Sequence, residues 1–439
     1  MKRRTLLSSL AVGLSVPFVN APLLTGSEAF RSILHNEDDG GSRGGGNSEN
    51  YWLRIQQAYD VDRTIVNLNN GGVSPAPQSV MSSFIRLTQQ ANQIPSYEMW
   101  RHQEPQMESV RRGLAELFGC DAEEVAITRN ASESLETAQL GIDLKPGDEV
   151  VISTQDYPRM LTTWEQRARR EGIVIKKVRF EVPVMNADDV VKAYADVITP
   201  RTKVLHASQT VFLTGQILPV AKLCALAKQH NLISIIDGAH AFAQFAFKHS
   251  DIGCDIYGTS LHKWLSGPIG TGMLYIRKDL IPSIWSLMGS AKEQEANIRK
   301  YEEIGTHSAA MHNALADALL FVNAIGLERK AARFRYLHSI WTSRVVGLGN
   351  VKFNTNISDA SNQCAIVNVH IDGVDHVKLS SWLLSKHQMF TVAITHEQFT
   401  GLRVTPNVYT TVHEMERFAR AMEEAATTMP EEIREVKKE

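Results

Sequence analysis

At 439 residues, with 43% hydrophobic and 21% charged side chains, the chain is long enough to bury a large core and to build two lobes. A formal net charge of −2 recommends neither nucleic acid nor an anionic membrane as a partner. Four cysteines, Cys120, Cys224, Cys254 and Cys364, lie in or beside apolar segments at spacings that suit buried small hydrophobes, and so point neither to a disulfide framework nor to a metal site.

The N-terminus opens on Met1-Lys2-Arg3-Arg4-Thr5-Leu6-Leu7, followed by an apolar stretch over residues 10–19 that is short for a membrane span. Paired arginines before such a stretch resemble a twin-arginine export signal over 1–29, which predicts a periplasmic or exported protein. An uncleaved N-terminal tether is the alternative. Residues 30–50 carry Gly40-Gly41 and Gly44-Gly45-Gly46 among acids and serine, and read as a flexible linker.

From residue 125 to about 277, β-type segments alternate with amphipathic helical ones, the pattern of a mostly parallel sheet covered on both faces. Val125-Ala126-Ile127-Thr128 reads as a buried strand and the segment from Ser134 as a helix. The connecting Asn130-Ala131-Ser132-Glu133 therefore brings backbone N–H groups and a hydroxyl to a helix N-terminus, where a phosphate is favoured. A plain N-cap by Ser132 fits those residues equally well.

Val150-Val151-Ile152-Ser153 reads as the next strand and leads to Tyr157, which suits either a ring over a flat ligand or a surface turn. Ile233-Ser234-Ile235-Ile236-Asp237-Gly238-Ala239-His240 is an apolar run of buried-strand type ending in an acid, a glycine and a histidine. Acids at the carboxyl end of a parallel strand sit where open α/β sheets bind ligands, and there a carboxylate can keep a pyridine nitrogen protonated. Capping by Asp237 and packing of His240 is the bland reading of the same residues.

Further on, Ser260-Leu261-His262-Lys263-Trp264 precedes the glycine-rich Gly267-Pro268-Ile269-Gly270-Thr271-Gly272. A lysine that ends a strand, flanked by a hydroxyl, an imidazole and open backbone amides, suits a Schiff base to an aldehyde cofactor carrying a phosphate. Near the C-terminus, Thr400-Gly401-Leu402-Arg403-Val404-Thr405-Pro406 holds an arginine that suits either the surface or a two-pronged grip on a carboxylate.

Five motifs in this order, Asn67-Leu68-Asn69-Asn70-Gly71-Gly72, Thr128-Arg129-Asn130-Ala131-Ser132-Glu133-Ser134, Asp237-Gly238-Ala239-His240, Ser260-Leu261-His262-Lys263-Trp264 and Arg403-Val404-Thr405-Pro406-Asn407-Val408-Tyr409, resemble the class V aminotransferase family of fold-type I pyridoxal 5′-phosphate (PLP) enzymes. The flavour is that of its isopenicillin N epimerase-like branch, and the resemblance runs from about residue 51 to the C-terminus. It implies an α/β architecture: a large PLP-binding domain over 113–310 with a mostly parallel sheet of seven-stranded type, and a smaller α/β domain over 311–439. Residues 51–112 would pack with the smaller domain, and one helix would run from about 312 to 330.

By the same resemblance, Lys263 carries the cofactor and Asp237 faces its ring nitrogen. Ala131 and Ser132 would hold the phosphate, Ser260 and His262 close its other side, and Tyr157 covers the ring. Cysteine desulfurases and several transaminases of the class have His and Asn in the stretch 203–215, the Asn near the phenolic oxygen, where this chain has Gln209, Val211 and Phe212, so His240 and Gln209 are left to contact that oxygen. Arg403 would bind the substrate's α-carboxylate. Thr306, in Ile304-Gly305-Thr306-His307, would reach the phosphate of a neighbouring subunit and so implies a homodimer with shared active sites. No metal is called for.

A cysteine desulfurase of this family needs a thiol on the loop at 393–400, and none is present. The leading reading is an aminotransferase acting on an amino acid or keto acid. An epimerase or lyase is the enzymatic alternative, and a binding module that keeps the fold without catalysis is the other class.

Overall fold

A computed structural model of the chain describes residues 49–435. The export signal read over 1–29 and nearly all of the linker over 30–50 lie outside the described residues.

The main element is a seven-stranded sheet built from β2 (Val125–Thr128), β3 (Glu149–Ser153), β4 (Val174–Val178), β5 (Thr202–Ser208), β6 (Ile233–Asp237), β7 (Ile256–Ser260) and β8 (Gly272–Ile276), with β1 (Val66–Asn67) lying outside it. Its order is β2-β8-β7-β6-β5-β3-β4. Only β8 runs against the others: β3, β4, β5, β6 and β7 pair in parallel, and β8 pairs antiparallel with both β7 and β2. Every residue of β2, β3, β7 and β8 is buried, as expected where helices cover both faces of a Val/Ile-rich sheet. Helices Ala131–Gly141, Pro158–Glu171, Ala187–Ala195 and Val220–Gln229 connect successive strands and supply that cover.

The smaller lobe holds β9 (Val351–Phe353), β10 (Val367–Ile371), β12 (Val392–Thr395) and β13 (Thr400–Val404), an antiparallel sheet of order β12-β13-β10-β9. The short β11 (Met389–Phe390) instead pairs in parallel with β1. Helices Leu327–Val345, His376–His387 and Val412–Thr427 pack on this sheet, the last N-capped by Thr411 in a capping box with Glu414.

Two expected boundaries move. The segment 51–112 is split between lobes: Val66 and Leu68 join the small-lobe core, whereas Val80, Met107 and Val110 join the large-domain core. A boundary at 112 would cut the helix Glu104–Phe118, whose Phe118 packs on Tyr257 and Tyr275 of the large sheet. Ala309, Leu315, Ala318 and Val322 also belong to the large-domain core, so the division falls near Gly326 and not at 310. Gly326, at φ +81, ends the helix Leu315–Ile325 and breaks the single helix expected over 312–330. No single helix among the described residues is long and apolar enough to cross a membrane.

Candidate active site

The carboxyl ends of β2, β5, β6 and β7 open into a cavity of about 360 Å³ whose walls include Ala131, Ser132, Tyr157, Ser208, Thr210, Asp237, His240, Ser260, His262 and Lys263. Gly72 of the first motif lines the same cavity, so motifs far apart in sequence meet in one place, at the end of the sheet where α/β folds bind ligands.

One end is built by the helix Ala131–Gly141. Asn130 caps it, its Oδ1 accepting from Glu133 N–H at 2.8 Å, so the N-cap is Asn130 and not Ser132. Ser260 Oγ accepts from Ala131 N–H at 2.9 Å, which leaves the hydroxyl proton of Ser260 free to donate. His262 Nδ1 lies 3.0 Å from the Thr271 carbonyl; a carbonyl only accepts, so Nδ1 carries the proton. Gly272 allows the close approach of this turn, since a Cβ there would lie 2.6 Å from Asn130 N. Hydroxyls, backbone donors and a helix N-terminus together make an anion site.

At the other end, Asp237 terminates β6 and its Oδ1 accepts from Ala239 N–H at 2.8 Å. Burial raises its pKa, while the Ala239 N–H and the Lys263 cation resist the rise. Lys263 Nζ lies 3.0 Å from His240 Nε2. Burial lowers the lysine to about 8, with Asp237 resisting and Arg403 assisting. Burial, then the Lys263 and Arg403 cations, hold His240 well below the usual histidine range, so the neutral ring accepts from Lys263.

PLP fits this set. His240 Nδ1 and Thr210 Oγ1 are buried without a protein partner, and both residues line the cavity. Buried polar atoms in native folds are rarely left so, and both could donate to an acceptor oxygen of a group bound in the cavity. In that fit the anion site would take the phosphate, Asp237 would face the ring nitrogen and Lys263 the aldehyde.

Gln209 is a correction. Its Oε1 accepts from Tyr257 O–H at 2.8 Å, away from the cavity. Side chains alternate along a strand, so Ser208 and Thr210 face the cavity and the residue between them does not; Thr210 lines the cavity where Gln209 was expected to. Tyr157 does line the cavity, edge-on to Phe212 with ring centroids 5.4 Å apart. Thr306 is exposed and lines a different cleft with Trp100, Glu108 and Arg111, outside its own chain's cavity.

Arg403, on β13, is buried and is not among the residues that line the cavity. It donates to the Phe212 carbonyl at 2.9 Å and to Asn69 Oδ1 at 3.0 Å, and its Nε has no partner. Burial lowers its pKa to about 10, which leaves it charged at neutral pH. Cys364 is fully buried and its thiol is pushed up to about 12, as befits a packing residue. Among the described residues no group of three or more His, Cys, Asp or Glu side chains is placed to hold a metal ion.

Gly238, between Asp237 and Ala239, has no room for a side chain: a Cβ would lie 1.9 Å from Tyr257 Cζ. Tyr257 is fully buried and tied to Gln209, so it has nowhere to go. Gly238→Ala is expected to cost about 1–3 kcal/mol or more by overpacking, read as a lower thermal midpoint of the apoprotein. An unchanged midpoint would show that Tyr257 can swing aside.

The family model for class V aminotransferases matches residues 66–423. The chain is similar to isopenicillin N epimerase of Amycolatopsis lactamdurans, 28% identical over 393 residues that cover 85% of this chain and 98% of that protein. It is also similar to a probable cysteine desulfurase of Halobacterium salinarum, 27% identical over 336 residues, or 73% of this chain and 79% of that one. Among solved structures, a C-DES mutant with glycine covalently linked to its PLP cofactor superposes with a TM-score of 0.74 at 20% identity, covering 82% of this chain and 97% of that one.

Proposed function

Because this chain belongs to the class V aminotransferase family and is a PLP-dependent enzyme, we propose that it takes an α-amino acid by its carboxylate, moves the α-proton with Lys263 and transfers the amino group to a keto acid. The contact between Lys263 Nζ and His240 Nε2 carries this reading. An amine held near neutrality by burial, with an acceptor at 3.0 Å, is suited to shuttle a proton at a carbon beside it. Bound PLP supplies an electron sink for the carbanion left behind. Asp237 would hold the proton on the ring nitrogen that makes the sink effective, and the turn at Ala131, Ser132, Ser260 and His262 would hold the phosphate.

Epimerisation is the second reading, favoured by relatives named isopenicillin N epimerase that are matched over 98% of their length. Both readings need Lys263 to remove the α-proton and differ in where a proton returns. Incubation of the enzyme with an amino acid and a keto acid in D2O separates them. Consumption of the keto acid marks transamination; α-deuteration with inversion and no keto acid consumed marks epimerisation. α-Hydrogens that never exchange would sink both. Thr306 belongs to the proposal of a homodimer, in which it would serve the partner's site.

Arg403 tests the substrate class. Arg403→Ala should leave the absorption of the bound cofactor unchanged and weaken an amino acid by about 2–5 kcal/mol, as for one half of a buried charged pair. The corresponding amine, lacking the carboxylate, should be affected far less. Equal losses for both would place Arg403 in the scaffold, through its contacts to Phe212 and Asn69.

A further inference from the structure

A buried acid behind Asp237 has no part in the reading above. β5 and β6 pair in register with Ser208 beside Asp237, so the two side chains leave the same face of the sheet, and both line the cavity. Ser208 Oγ donates to Asp156 Oδ1 at 2.6 Å. A hydroxyl has one proton, and here it is committed away from the cavity; what Ser208 can offer the cavity is its lone pairs.

Asp156 is itself held in place. Its Oδ2 accepts from Ser153 N–H at 2.9 Å, and the residue is 3% exposed. Burial pushes its pKa up to about 7, with the Ser208 and Ser153 donors resisting and the Asp237 charge adding to the rise. An asparagine would cap the turn at Ser153 equally well, so the turn does not require an acid. A carboxylate that accepts only, placed behind a serine, does one thing an amide would not: it fixes which way the hydroxyl points.

We propose that Asp156 is a positioning residue that, through Ser208, presents an acceptor-only oxygen beside Asp237 and gives the protonated ring nitrogen of PLP a second acceptor. This rests on the reading that Asp237 faces that nitrogen. Removing Asp156 frees the Ser208 proton to turn into the cavity, where it would face another donor.

The test is titration of the apoprotein with PLP, following the dissociation constant and the visible absorption of the bound cofactor, at a pH more than a unit above 7 so that Asp156 is ionised. Asp156→Ala and Ser208→Ala should each raise the dissociation constant about tenfold, the worth of one charge-assisted hydrogen bond. Because the two act as one unit, the double variant should be no worse than either single one. Ser208→Thr, which keeps the hydroxyl on a strand that favours β-branching, should restore wild-type affinity.

Additive losses in the double variant would overturn the proposal, since they would mean that Asp156 only shapes its turn. Ser208→Ala is mild enough to decide the matter should Asp156→Ala not fold. Wild-type affinity in Ser208→Ala, with weakened binding in Asp237→Asn, would sink this inference and leave the Asp237 reading standing. Unchanged affinity in both would remove both.

Discussion

Lys263→Ala should abolish the visible absorption of the lysine-linked cofactor in the purified protein, and turnover should fall by roughly 10²–10⁴-fold from loss of the proton-transfer group alone. The anion site is built from Ala131, Ser260 and the helix Ala131–Gly141, none of which touches Lys263 Nζ, so the variant should still bind PLP. Capture of the aldehyde by wild-type apoprotein has its own signature. The nucleophile is the neutral amine, and with its pKa lowered to about 8 the fraction neutral at pH 7 is about one in ten. The rate of capture should therefore rise about tenfold per pH unit below 8 and level off above it. A stopped-flow pH series on the apoprotein measures this directly. A rate that keeps climbing to pH 10 would mean that burial does not depress Lys263, and full turnover in Lys263→Ala would end its assignment.

What was legible in the sequence was the set of strand ends. A buried parallel strand announces itself as an apolar run, and the first polar residues after it can only lie at the ligand-binding edge of the sheet. Asp237, Ser260 and Lys263 were found that way, and they meet in one cavity. Asn130 to Ser132 follows the same logic at a helix N-terminus. Side-chain parity beyond a strand end was harder. Ser208, Gln209 and Thr210 continue β5 past the point where hydrophobic alternation can fix the face, and only the bond from Tyr257 O–H shows that Gln209 points away. Asp156 was invisible for a different reason: an acid in a turn reads as solvated, and nothing in Thr154-Gln155-Asp156-Tyr157 says that Ser208, 52 residues on, will close over it.

Domain limits failed on the helices. An amphipathic helix declares that one face is buried but not against which lobe, and the helices Glu104–Phe118 and Leu315–Ile325 chose the larger core. The break at Gly326 was in principle readable, since a glycine near the end of an apolar helical run is a common stop.

Asp237→Asn separates two jobs that the wild-type carboxylate does at once. An asparagine oxygen can still accept from Ala239 N–H, so the fold around β6 should hold and the thermal midpoint of the apoprotein should change little. The negative charge is gone, and with it the partner that keeps the ring nitrogen protonated. Loss of a charge-assisted hydrogen bond is worth about 1.5–3 kcal/mol, so PLP affinity should fall by about tenfold or more, and turnover should fall further because the electron sink is weakened as well. The effect on Lys263 has the opposite sense. Asp237 is the group that resists the fall of the lysine's pKa, so its neutralisation should move the midpoint of aldehyde capture by apoprotein to a pH below 8. The variant should thus form the lysine link more readily near neutral pH and yet hold the cofactor less tightly and turn over poorly. A capture midpoint that moves upward, or turnover that survives intact, would show that a different group faces the ring nitrogen and that Asp237 serves only to cap the turn at Ala239.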